Sequence, residues 1–118
     1  PRASGTLKAH SAPRTPLELA YAPRLRDVVQ GRNLPEGRVV VVAYDAQPAM
    51  TDARVQWQPV PADPARYAQA LYGLLRDLDG QGYARIIVQA PPATSDWHAV
   101  NDRIGRAAAA FTLDTTDL

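Results

Sequence analysis

Apolar residues fall along this chain in two rhythms, and the switches between them outline alternating helices and strands. Over residues 63–79, Tyr67, Ala70, Leu71, Leu74, Leu75 and Leu78 recur at steps of three and four, one face of a helix with Leu74 near its centre. Arg66, Gln69, Gly73, Arg76 and Asp77 fall mostly on the other side. Asp63 is a good N-cap, because its carboxylate accepts from the free amides of the first turn. Pro64 follows at the first helical position, where its missing N–H costs nothing. Gly80 and Gly82 supply the permissive backbone that ends a helix. Residues 85–90, with two isoleucines and a valine, then read as a buried strand. Pro91 and Pro92 stop it, since neither can donate to a sheet ladder. This unit is the expected centre of the core, each large apolar side chain contributing on the order of 1.5–3 kcal/mol on burial.

The rest of the chain follows the same logic. Residues 15–20 alternate and predict a first strand with Leu17 and Leu19 on one face. Pro23 starts a short helix through Gln30, with Leu25, Val28 and Val29 inward and Gly31 ending it. Pro35, Glu36 and Gly37 signal a turn. Residues 38–44 hold four consecutive valines, the pattern of a central parallel strand covered on both faces. Residues 45–53 are a loop with Pro48 and Asp52, and residues 54–58 a short strand in which Val55 and Trp57 alternate. Thr94, Ser95 and Asp96 offer N-caps to a last helix with apolar positions Trp97, Val100, Ile104, Ala108 and Phe111. Strands alternating with helices imply right-handed parallel crossovers and an α/β domain of three layers. The expected fold is Rossmann-like or flavodoxin-like over residues 15–112, with a small, mostly parallel sheet of about four to five strands. Residues 1–14 lack periodicity and have no large apolar residue but Leu7, which predicts a linker; residues 113–118 predict a polar, fraying tail.

Composition narrows the function classes. At 118 residues the chain is one domain, and 46% hydrophobic residues are enough for a packed core. No apolar run approaches a membrane span, and the polar start predicts no signal peptide. Cysteine is absent, which excludes disulfides, thiolate nucleophiles and sulfur metal sites and fits a cytoplasmic location. The net charge is only +1 but is unevenly placed. Residues 1–38 carry seven basic groups against three acids, a net of +4; the remainder carries six against nine, a net of −3. The basic front end has two readings: a face for a phosphate-rich ligand or acidic partner, or ordinary solvated arginines.

The chemistry on offer is sparse. The phosphate-loop, dinucleotide-glycine, paired-histidine zinc and serine-elbow patterns are absent. His10 and His98 are too few and too far apart for a metal site; His98, in the first turn of the last helix, reads as a surface or capping residue. Trp57 and Trp97 could stack on a base or simply fill the core. Asp45 follows the valine strand, at the carboxyl edge where open α/β sheets bind ligands. There it either accepts from a ribose hydroxyl or caps a turn. Arg103 and Arg106 read as solvated.

Three stretches carry a resemblance. Residues 4–17, S-G-T-L-K-A-H-S-A-P-R-T-P-L, are similar to the linker of the long, two-domain form of threonylcarbamoyl-AMP synthase, with Gly5, His10, Ala12, Pro13, Thr15 and Pro16 matching. Residues 61–79 and 100–108 are similar to two helices of its C-terminal accessory domain. The resemblance spans nearly the whole chain. It implies a Rossmann-like accessory domain, regulatory and non-catalytic by itself, of an ATP-dependent nucleotidyltransferase. That enzyme makes threonylcarbamoyl-AMP and pyrophosphate from threonine, bicarbonate and ATP, for threonylcarbamoyladenosine modification of tRNA beside the anticodon. Catalysis, with ATP and Mg as the implied cofactors, belongs to an N-terminal YrdC-like domain of the same polypeptide; no cofactor, catalytic residue or metal ligand is implied in this chain. The implied partners are that domain and, indirectly, the tRNA-modification machinery, with neither membrane nor DNA. The family's linker reaches over the active-site opening, and His10 is the linker residue carried over as part of a lid. Ser11 and Lys8 stand where tyrosines are common in the family, so a role that needs those rings is lost here. The alternative is a stand-alone nucleotide- or RNA-binding module that uses the basic front end and the strand tips.

Overall fold

The valine run forms the middle of the molecule. In the computed structural model, which describes residues 13–116 and the side chains of residues 13–110, it is strand β2, Val39–Ala43, with all five residues buried. β3, Val55–Pro59, pairs with it on one side and β4, Arg85–Gln89, on the other. β1, Leu17–Ala20, pairs with β4, so the order is β1-β4-β2-β3 and every pairing is parallel. Val40 lies opposite Ile86 and Gln56, and Val41 opposite Ile87 and Trp57. Successive side chains alternate between faces. Leu17, Val40, Val42, Ile86 and Val88 therefore form one apolar face, and Val39, Val41, Ala43, Val55, Trp57 and Ile87 the other.

The helices divide unequally between these faces. α1, Ala22–Val29, covers the second face with Leu25, Val28 and Val29. α2, Pro64–Asp79, and α3, His98–Thr116, pack together over the first. The crossovers β1-α1-β2 and β3-α2-β4 traverse the sheet in opposite directions, and right-handed connections then put their helices on opposite sides. The result is a three-layer, small Rossmann-like α/β domain, with four strands among the described residues.

Several local expectations hold. Asp63 accepts from the Arg66 amide at 3.0 Å and Pro64 opens α2. Others shift. On α2 the buried face is Tyr67, Ala68, Leu71, Leu75 and Leu78; Leu74 is half-buried and Ala70 exposed. Each residue turns roughly 100° about the axis, so exchanging Ala70 for Ala68 rotates the stripe and centres it on Leu71. Leu19 shares a face with Leu17 on the edge strand β1 but is 36% exposed against 8%. A 3-10 turn, Ser95–Trp97, precedes α3, and Thr94 contributes its carbonyl to Trp97, not a side-chain cap. Val100, Ile104 and Ala107 are the buried residues of α3, with Ala108 at the margin, and the helix runs past residue 112 to Thr116; the Phe111 side chain lies outside those described. Arg103 is not solvated: its Nη1 donates to the Ala68 carbonyl at 2.7 Å and ties α3 to α2. Arg106 pairs with Asp102 on the exposed surface.

Two clamps hold β1 in place. Before it, the Asp79 carboxylate accepts from the amides of Arg14 (3.0 Å) and Thr15 (2.7 Å), and the Thr15 hydroxyl donates to the Asp79 carbonyl. Asp79 is the last residue of α2, where the helix dipole disfavours a carboxylate, and these amide donors offset that cost. Within β1, Glu18 accepts from Arg24 Nε at 2.7 Å and Arg85 Nη1 at 2.8 Å, joining β1 to α1 and β4. Burial pushes the Glu18 carboxyl up, but the hydrogen bonds and charges of Arg24 and Arg85 outweigh it and hold the group below its ordinary value.

Candidate functional site

The carboxyl edge of the sheet is where the chain opens. β1 leads to α1 on one face, and the neighbouring β4 leads to α3 on the other. Such divergence leaves a crevice outside the strand ends, the place where open α/β sheets take ligands. After β2 the loop of residues 44–54 turns toward α1, and the Asp52 amide donates to the Val29 carbonyl at 2.8 Å. Gly31, at φ +77°, lies so close to the Asp52 carboxylate that a Cβ there would collide with it. The Asp52 carboxyl is held low by the amide and guanidinium of Arg54.

Between α1 and this loop lies a cavity of about 370 Å³. Its apolar walls are Leu25 and Val29 of α1, Pro48 of the loop and Trp57 of β3; Asp45, Gln89 and Arg26 bring polar groups to it. The Trp57 indole is 9% exposed, and its Nε1 donates to the Asp45 carbonyl at 3.2 Å. Trp57 thus completes the core on one side and walls the cavity on the other.

Asp45 is held by a residue that sequence reasoning passed over. Gln89, only 8% exposed, ends the apolar strand β4. Its carbonyl oxygen accepts from the amides of Tyr44 (3.1 Å) and Asp45 (3.3 Å), while its Nε2 donates to Asp45 Oδ2 at 2.7 Å. The amide therefore satisfies both loop N–H groups and orients the carboxylate. Asp45 Oδ1 accepts no hydrogen bond from the described residues. The visible signal was a polar residue closing R-I-I-V-Q at the edge where Asp45 also lies.

Behind the sheet, on the face of α2 and α3, Tyr44, Tyr67 and Trp97 form an aromatic cluster. Trp97 lies 5.4 Å from the Tyr44 ring and 6.3 Å, edge-on, from Tyr67. Trp97 is therefore core and not a platform for a base. The Tyr44 hydroxyl donates to the Ala90 carbonyl at 3.0 Å. The Tyr67 hydroxyl is buried with no partner among the described residues, and burial, then the nearby Tyr44, push its pKa well up.

The remaining candidates separate. His98 is exposed, as expected. His10 lies outside the described residues, as do Arg2 and Lys8 of the basic front end. Within that front end, Arg24 is engaged with Glu18, and the Arg38 guanidinium sits 4.6 Å above the Tyr83 ring. Arg26 lines the cavity. Among the described residues no group of three His, Cys, Asp or Glu could hold a metal ion, and no helix is long and apolar enough to cross a membrane.

No curated protein and no solved structure matches this chain. A family does. Residues 1–109 match the family described as threonylcarbamoyl-AMP synthase, C-terminal domain, a span that takes in all of the sheet, α1 and α2, and the chain belongs to that family.

Proposed function

We propose that this domain is the accessory, regulatory part of a threonylcarbamoyl-AMP synthase, non-catalytic by itself, and serves cytoplasmic tRNA threonylcarbamoyladenosine modification. The observation that carries the reading is the family match, which covers residues 1–14 and the folded domain together. In this reading an N-terminal YrdC-like domain of the same polypeptide binds ATP with Mg and performs the adenylate chemistry. This domain holds the linker in place, and His10 belongs to a lid over the nucleotide. The Asp79 clamp supports the reading, because it grips the chain at Arg14 and Thr15 and so sets the point from which the preceding residues depart.

The test is pyrophosphate release from ATP, threonine and bicarbonate. The isolated chain is expected to release none above a mock purification. The two-domain protein is expected to differ in turnover or in KM for ATP from its catalytic domain alone. His10→Ala in the two-domain protein should alter turnover with the fold intact. Pyrophosphate release by the isolated chain, or identical kinetics with and without it, overturns the reading. Of the alternative, a stand-alone nucleotide- or RNA-binding module, the RNA half is disfavoured by Arg24 and Arg38, whose guanidinium groups are engaged within the domain.

A further inference from the structure

We propose that the cavity between α1 and the loop of residues 44–54 binds a ribonucleoside, with the ribose diol on the Asp45 carboxylate and the base between Leu25, Val29, Pro48 and Trp57. The argument begins with the acceptor. A carboxylate offers two oxygens and about four lone-pair sites. Gln89 Nε2 occupies one of these and locks the group's orientation, and Oδ1 takes no bond from the described residues. A ligand here must bring donors. A vicinal diol brings two at the spacing of one carboxylate, whereas a carboxylic acid or phosphate would meet like charge.

The walls and size limit the rest of the molecule. Leu25, Val29, Pro48 and Trp57 present apolar surface to a flat body, and the Trp57 indole is anchored by its bond to the Asp45 carbonyl. About 370 Å³ stands near the lower end of ligand pockets, roughly 300–1,000 Å³, which gives room for one nucleoside in a groove that opens to solvent where Asp45 is exposed. The β1–α1 turn also lacks a pyrophosphate cradle. Residues 20–24 are A-Y-A-P-R, without glycine, and Pro23 removes an amide from the first turn of α1. Arg26 also lines the cavity, and among the described residues no carboxylate lies within ion-pairing distance of it.

The inference does not rest on the accessory role. Binding by this chain and turnover of the two-domain protein are separate measurements, and each can fail alone. The experiment is NMR titration of the chain with adenosine, guanosine, cytidine and uridine, read at the two tryptophan indole N–H signals. At least one ribonucleoside should move the Trp57 signal saturably while Trp97, on the opposite face of the sheet, stays put. The 2′-deoxy form of that ligand should bind about tenfold or more weakly, the loss of one hydrogen bond to a charged acceptor. Asp45→Asn should weaken the ribonucleoside to the same extent without moving the Trp97 signal. If none of the four moves Trp57, the proposal falls. It also falls if the deoxy form binds equally, if Asp45→Asn leaves affinity unchanged, or if tryptamine, a flat amine, binds in place of the nucleosides. The deoxy comparison needs no variant, so the proposal stays testable if Asp45→Asn does not fold.

Discussion

The two faces of the sheet receive the same alternating rows of Val and Ile, yet they are covered differently. One face lies under two long helices, of 16 and 19 residues, whose Leu71, Leu75, Val100 and Ile104 cover it except at the β1 edge, where Leu19 stays 36% exposed. The other lies under a single helix of eight residues and a loop. The long helices make most of that core, with Tyr44 and Val60 packed at its margin. The short one leaves its share of the sheet half-finished, and the carboxyl end of that half is the cavity with Asp45 and Gln89. Stability is thus concentrated on one side of the sheet and the candidate chemistry on the other, as expected where binding sites are drawn from the less heavily packed parts of a fold.

The sharpest way to break this comparison is to empty one leucine on each side. Leu71→Ala, at the centre of the thick face and fully buried, should cost about 2–5 kcal/mol by denaturant unfolding. Leu25→Ala on the thin face removes a partly buried side chain and should cost roughly half as much, in proportion to the apolar area lost. Equal costs would mean that the two faces are equally packed. Amide exchange should order the same way, with α1 opening before α2.

Next in size is Gly31→Ala, at the end of α1. The new methyl would meet the Asp52 carboxylate, and the residue would sit at φ +77°, where side chains are strained. A loss of about 1–3 kcal/mol is expected, with the larger share of the disturbance in the residue 44–54 loop. A loss under about 0.5 kcal/mol, the surface range, would show that the loop is not pinned there. A smaller effect is expected from acid. Glu18 is held below its ordinary value of 4.5 in the folded chain, so its contribution is complete above that value and is lost as pH falls through the lower folded value. The stability gap between the native chain and Glu18→Gln should therefore narrow as pH drops below about 4.5. Asp52 is also held low, below its ordinary value of 3.8, so the variant retains part of the acid sensitivity at still lower pH. A gap that stays constant down to the acid transition would remove Glu18 from the account.

Periodicity makes the sheet, the three helices and the coverage of both faces legible in the sequence, because each is a local consequence of spacing and turn chemistry. The same local view misplaced the α2 stripe by counting Ala70 as equal to a leucine, although alanine has little surface to bury. What lay beyond reach was long-range polar pairing. Gln89 meets Asp45 across 44 residues, Asp79 meets Thr15 across 64, and Arg103 meets Ala68 across 35. No spacing rule joins such residues until the topology brings them together. Asp45 was visible as a residue at the carboxyl edge, but not its orientation, which belongs to Gln89. Gly31 was visible as a helix end, but not the approach of the Asp52 carboxylate that crowds a Cβ there.

The smallest expected effect is the most diagnostic of the thick face. Tyr67 is fully buried, packs edge-on against Trp97, and carries a hydroxyl with no partner among the described residues. An unsatisfied buried hydroxyl costs about 1–3 kcal/mol, whereas its removal leaves only a small void. The two terms oppose each other, so Tyr67→Phe should leave stability unchanged or raise it by up to about 1 kcal/mol. The aromatic packing against Trp97 is retained in the variant, which isolates the oxygen. The measurement is the urea midpoint at constant m, since a change in slope would mix in the unfolded state. A loss above about 1 kcal/mol would mean that the hydroxyl has a partner in solution, the size of a typical net hydrogen bond. The face of α2 and α3 would then hold a further polar contact beside those of Tyr44 with Ala90 and Arg103 with Ala68, and its contrast with the side that carries Asp45 and Gln89 would weaken.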